Sequence, residues 1–149
     1  MMQPEKVVVE YYKALYGGDL ETVKSLMTHK SYLMMIESFG LKLSLKNPSF
    51  NLELKKIEEN TASLKKVEGT LSGEIKSYQL SPVINILRTE RNGSSRKTVY
   101  YTEDNNRKNL YFSKEKNSWK INYYAGRPSP ENYFALMKNW MISIFPSFK

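Results

Sequence analysis

One α+β domain is the fold class this sequence predicts: amino-terminal helices packed on a curved antiparallel sheet of five to six strands, plus a carboxyl-terminal helix. Two changes of hydrophobic period and one turn dipeptide carry that prediction. Apolar residues recur at helical spacing up to about residue 38, alternate after Pro48, and return to helical spacing after Ser129. Asn92-Gly93 lies between two alternating runs, the position a hairpin turn would occupy. Helices segregated from a run of strands give helix-on-sheet layering without parallel β-α-β units. With 149 residues, 40% of them apolar, and no long linker or internal repeat, the chain reads as a single domain over 1–149, with 129–149 a helical extension.

Taken in order, residues 4–16 form the first expected helix. Pro4 suits its first turn, Glu5 complements the helix dipole, and Val8, Tyr11, Tyr12 and Leu15 share a face. Gly17-Gly18 stops it, and Asp19 caps a second helix over 20–28. A third, over 31–38, begins at Ser31 and is expected to end at Gly40. Beyond Pro48, Phe50, Leu52 and Leu54 alternate with polar residues and predict a strand, continued by Ile57. Residues 64–76 predict another, with Gly69 and Gly73 as bulge points. Further strands are expected over 82–91, 97–103, 109–113 and 118–124, joined by turns at Asn92-Gly93, 104–106 and Lys116-Asn117. Ser129-Pro130-Glu131 then opens a last helix to about residue 144. Its stripe of Tyr133, Leu136, Met137, Trp140, Met141 and Ile144 is broad enough to cover the sheet, lid a pocket or join a partner subunit.

Composition removes several chemistries. No cysteine is present, so disulfides, thiolate metal sites and cysteine nucleophiles are excluded together. His29 is the single histidine, and beside a helix end it reads as a dipole partner rather than a base; no metal site and no cofactor are implied. No stretch reaches the ~20 apolar residues of a membrane span, and no membrane association is expected. The start lacks a basic segment followed by an apolar one, so the expected location is the cytoplasm, although a chain trimmed of a secretory leader would look the same. The net charge of +8 concentrates between Arg88 and Lys120. That region either contacts an anionic partner or is the solvated face of strands; nucleic acid is not the expected partner, because no nucleic-acid motif accompanies it.

The run Tyr16-Gly17-Gly18-Asp19-Leu20-Glu21 and the strand Ser118-Trp119-Lys120-Ile121-Asn122-Tyr123, with its hairpin partner Leu110-Tyr111-Phe112, resemble the nuclear transport factor 2-like (SnoaL-like) superfamily. The likeness covers 4–124 in the order of elements. It implies a cone-shaped fold whose interior can hold a small ligand, and a homodimer formed through the sheet; the carboxyl-terminal helix is a second expected dimer seam. Relatives such as ketosteroid isomerase carry an oxyanion-donating tyrosine on the first helix and a carboxylate base after the second. The matching positions here are Tyr11 and Glu37. The elements expected around such a cone supply a pocket lining of Tyr11, Leu15, Tyr32, Ile36, Phe112, Trp119 and Tyr123, suited to a small apolar or aromatic ligand.

Read from the residues themselves, Tyr11 is a core residue and Glu37 a solvated one. No complete catalytic set is visible, so the leading expectation is a non-enzymatic module that binds a small ligand or another protein. A cofactor-independent isomerase, dehydratase or cyclase using Tyr11 and Glu37 is one alternative, and binding of an anionic partner through the basic strands is another.

Overall fold

The computed structural model describes residues 1–126 as five helices followed by four strands, an α+β chain. Helix α1 (Pro4–Tyr16) has Pro4 in its first turn with Glu5 beside it, as the sequence implies. Gly18, at φ +75°, turns the chain, and its missing side chain lets Ser72 approach: Ser72 Oγ donates to the Gly18 carbonyl at 2.5 Å. Asp19 then caps α2 (Leu20–Ser25), accepting from the Thr22 amide at 3.1 Å and from its hydroxyl at 2.6 Å. Those two bonds favour the charged carboxylate and lower the Asp19 pKa.

Three expectations are corrected in the middle of the chain. Helix α3 (His29–Lys46) does not stop at Gly40. A Cβ there would lie 2.6 Å from Leu54 Cδ1, so the glycine serves close packing rather than termination. The segments predicted as strands over 50–57 and 64–76 are helical, falling in α4 (Pro48–Leu54) with the turns after it and in α5 (Thr61–Ser77). The physical reason is the period of burial. Phe50, Leu54 and Ile57 are buried while Leu52 is exposed, and Leu64, Val67, Leu71 and Ile75 are buried at spacings of three and four. Among the described residues the sheet therefore has four strands rather than the expected five to six.

Those strands, β1 (Ile84–Arg91), β2 (Arg96–Glu103), β3 (Asn106–Glu115) and β4 (Ser118–Ile121), form an antiparallel meander in sequence order. The turn at Asn92-Gly93 is present, with the Asn92 amide bonded to the Arg96 carbonyl and Gly93 at φ +111°. Two tighter hairpins follow. Asp104-Asn105 and Lys116-Asn117 all have positive φ, the left-handed pair that matches the twist of flanking strands. A bulge between Ile86 and Arg88 leaves Leu87 exposed. Along β4, the Thr28 amide donates to the Ile121 carbonyl and the Ile121 amide to the Leu26 carbonyl, giving a short parallel bridge.

By contacts the described chain divides into two compact units, residues 1–32 with 72–126, and residues 33–71. In the first, α1 packs on β1, β2 and β4 and buries Val7, Val8, Tyr11 and Leu15; Val99, Leu110, Phe112 and Ile121 are the buried strand residues. Each such apolar side chain contributes about 1.5–3 kcal/mol relative to exposure. The second unit is helical throughout its elements. The predicted helix over 129–144 and its apolar stripe lie outside the described residues. Among the described residues no helix is long and apolar enough to cross a membrane.

Candidate functional site

The spacing of Tyr11, Tyr12 and Tyr16 sends three phenols from α1 toward the sheet. Tyr12 is the centre of the group. Its hydroxyl lies 2.6 Å from that of Tyr101 on β2, its ring meets Tyr11 edge-on at 5.1 Å and Tyr101 edge-on at 5.7 Å, and it stacks near-parallel to Tyr16 at 6.3 Å. Offset and edge contacts of this kind add to simple area burial. Behind them Glu103 forms an ion pair with Lys108, both side chains largely withdrawn from water. Tyr123 enters from beyond β4, its amide held by Ser31 Oγ at 3.0 Å.

Burial pushes the ionisation of Tyr11, Tyr12, Tyr16, Tyr101 and Tyr123 upward, because a phenolate in this setting loses its hydration. Neighbouring phenols add to the effect at Tyr11, and the Glu103 carboxylate adds to it at Tyr12, Tyr16 and Tyr101. All five are neutral hydrogen-bonding groups at physiological pH. None is positioned to act as a strong base.

An open groove of about 380 Å³ runs along the outer side of this group. Val9, Leu80, Pro82 and Ile84 give it an apolar bed, Tyr12 and Tyr16 form an aromatic wall, and Lys13 stands at its side. The Tyr12 hydroxyl is occupied by Tyr101, so Tyr12 presents ring surface. Tyr16 is 7% exposed, and its hydroxyl has no hydrogen-bond partner among the described residues. The groove thus combines apolar area with one protonated phenol, a pattern suited to a small molecule.

Tyr11, Leu15, Tyr32, Phe112, Trp119 and Tyr123 are buried in the first unit, and Ile36 is buried in the second. None of the seven lines the groove. Tyr11 belongs to the first unit and Glu37 to the second. Glu37 is half-buried, and its pKa is raised by burial and, secondarily, by Glu58. Sequence reasoning missed Val9, Leu80, Pro82 and Ile84. The available signal was apolar side chains left over from the helical face and the first strand.

Many of the basic side chains are engaged within the molecule. Arg88 stacks on Tyr100 at 3.9 Å and pairs with Glu90 at 3.2 Å, while Lys97 covers Trp119 at 4.9 Å and Lys30 covers Tyr124 at 4.3 Å. Arg96 donates to the Ala125 carbonyl and Lys120 to that of Ser25. Among the described residues, no three His, Asp or Glu side chains cluster as metal ligands. Comparison with protein-family models, curated proteins and solved structures finds no match to this chain.

Proposed function

We propose that this protein is a non-enzymatic binding module for a small apolar or aromatic ligand, and that the ligand occupies the groove along α1. The observation that carries the reading is the groove's aromatic wall of Tyr12 and Tyr16 beside Val9, Leu80, Pro82 and Ile84, with the Tyr16 hydroxyl bonded to none of the described residues. Burial keeps that hydroxyl protonated, so it offers a hydrogen bond to a ligand carbonyl or hydroxyl oxygen. The packing of α1 on an antiparallel meander also supports the nuclear transport factor 2-like reading of the fold.

Titration of the isotope-labelled protein with acetophenone, an aromatic ring carrying one acceptor, tests the site. Saturable amide shifts are expected around Val9, Tyr12, Tyr16, Leu80 and Ile84. Leu80→Asp should abolish them, and Tyr16→Phe should weaken binding roughly tenfold by removing one hydrogen bond. Shifts that do not saturate, or that survive Leu80→Asp, would exclude this groove.

A further inference from the structure

Charge of both signs borders the groove. Asp104, in the turn after β2, is tied to the chain beside the groove's lining. The Val83 amide donates to its Oδ1 at 2.9 Å, and its own amide donates to the Val83 carbonyl at 3.0 Å. Val83 lies between Pro82 and Ile84, both of which line the groove. Asp104 Oδ2 accepts no hydrogen bond and joins no ion pair among the described residues. Glu103 stands opposite Ile84 across the strands, but Lys108 offsets its charge. Tyr16 is 7% exposed, lines the groove, and has a hydroxyl bonded to none of the described residues. That hydroxyl senses both carboxylates: burial, then Glu103, then Asp104 disfavour its phenolate. Lys13, the cation of the lining, is exposed and stands with Val9 and Gly17 along one edge of α1.

We infer that the groove selects a cation: an organic ammonium whose aromatic arm lies on Val9, Leu80 and Pro82 and whose charged head pairs with Asp104 beside Tyr16. The inference rests on the groove being the binding site and adds the charge of its ligand. Three features act together. Asp104 supplies a counter-charge with one oxygen uncommitted. Tyr12 and Tyr16 supply rings whose faces attract a cation. The Tyr16 oxygen accepts an N–H as well as donating its own proton. Lys13 opposes a cation along its own edge of α1, which leaves the Ile84 side for the charged head. An anion would find Lys13 but would meet Asp104 and the negative ring faces.

Titration of the isotope-labelled full chain at neutral pH and low salt compares probes of one shape: 2-phenylethylammonium, neutral 2-phenylethanol and anionic phenylacetate. The ammonium should bind roughly five- to tenfold more tightly than the alcohol, the combined effect of an exposed ion pair and a cation–π contact, and phenylacetate should bind most weakly. Asp104→Asn keeps an oxygen for the Val83 amide and suits the turn's φ of +50°. It should bring the ammonium down to the affinity of the alcohol while leaving the alcohol unchanged. Raising the salt to about 0.2 M should weaken the ammonium alone. Equal affinity for ammonium and alcohol, or a preference that survives Asp104→Asn, overturns the inference and leaves the groove a site for neutral ligands. Phenylacetate as the tightest probe also overturns it, giving the charge selection to Lys13. If no probe saturates, acetophenone included, the groove is not a site and both readings fall.

Discussion

At the scale of single residues, the phenols of the first unit are coupled to pH with a definite sign. Five tyrosines have native pKa values raised by burial, whereas in the unfolded chain each ionises near ~10. Below that pH both states hold the protons, and the stability is fully present. Above it the unfolded chain releases protons that the native state retains, so stability falls as pH rises. Alkaline titration should therefore show tyrosinate absorbance from these residues appearing in one steep step, coincident with loss of far-ultraviolet dichroism. Gradual ionisation with the fold intact would contradict the burial described for Tyr11, Tyr12 and Tyr101. That α1 is tyrosine-rich on one face was legible in the sequence. Which hydroxyl finds a partner was not, because the Tyr12–Tyr101 bond joins residues 89 apart and leaves no local mark.

At the scale of elements, the glycines separate two structural roles. A Cβ added at Gly69 or Gly73 meets nothing within 4 Å, and both residues lie inside α5. Gly69→Ala and Gly73→Ala should each raise unfolding free energy by about 0.5–1 kcal/mol, the helix-propensity difference. Gly40→Ala should lose that gain against the Leu54 clash and come out neutral or destabilising by about 1–3 kcal/mol, as overpacking does. Urea unfolding midpoints check all three. These glycines also show why the middle of the chain was misread. Leu52 completes an apparent apolar alternation with Phe50 and Leu54, but it is 62% exposed and contributes nothing to the buried face. In 64–76 the glycines suggest bulges, while the spacing of Leu64, Val67, Leu71 and Ile75 is helical. The hairpins were legible at Asn92-Gly93 and Lys116-Asn117 because turn chemistry is local, needing only residues that tolerate positive φ.

At the scale of the whole molecule, the described residues of the two units differ in how far apart their partners lie along the chain. The first unit is tied by bonds such as Tyr12–Tyr101 and Tyr123–Ser31, across 89 and 92 residues. The second draws on one continuous segment of described residues, 33–71. Loop-closure entropy must be overcome before distant pairs contribute, so local helices gain structure sooner. Pulse-labelled hydrogen exchange during refolding should protect amides of Phe50–Leu54 and residues 64–71 before those of Val99, Leu110 and Phe112. Simultaneous protection would indicate that the helices wait for the sheet.

The bridge along β4 has a consequence for self-association. An open β-sheet has two rims, and each can recruit another strand. Here Leu26 and Thr28 occupy part of one rim through Ile121, while among the described residues β1 pairs on one side only. A particle with one adhesive rim has a valence of one: joining two such rims uses both and leaves nothing to extend. Among the described residues β1 is therefore the fuller free rim, and joining two copies through it alone would stop at a pair, whereas two open rims would permit a growing ribbon.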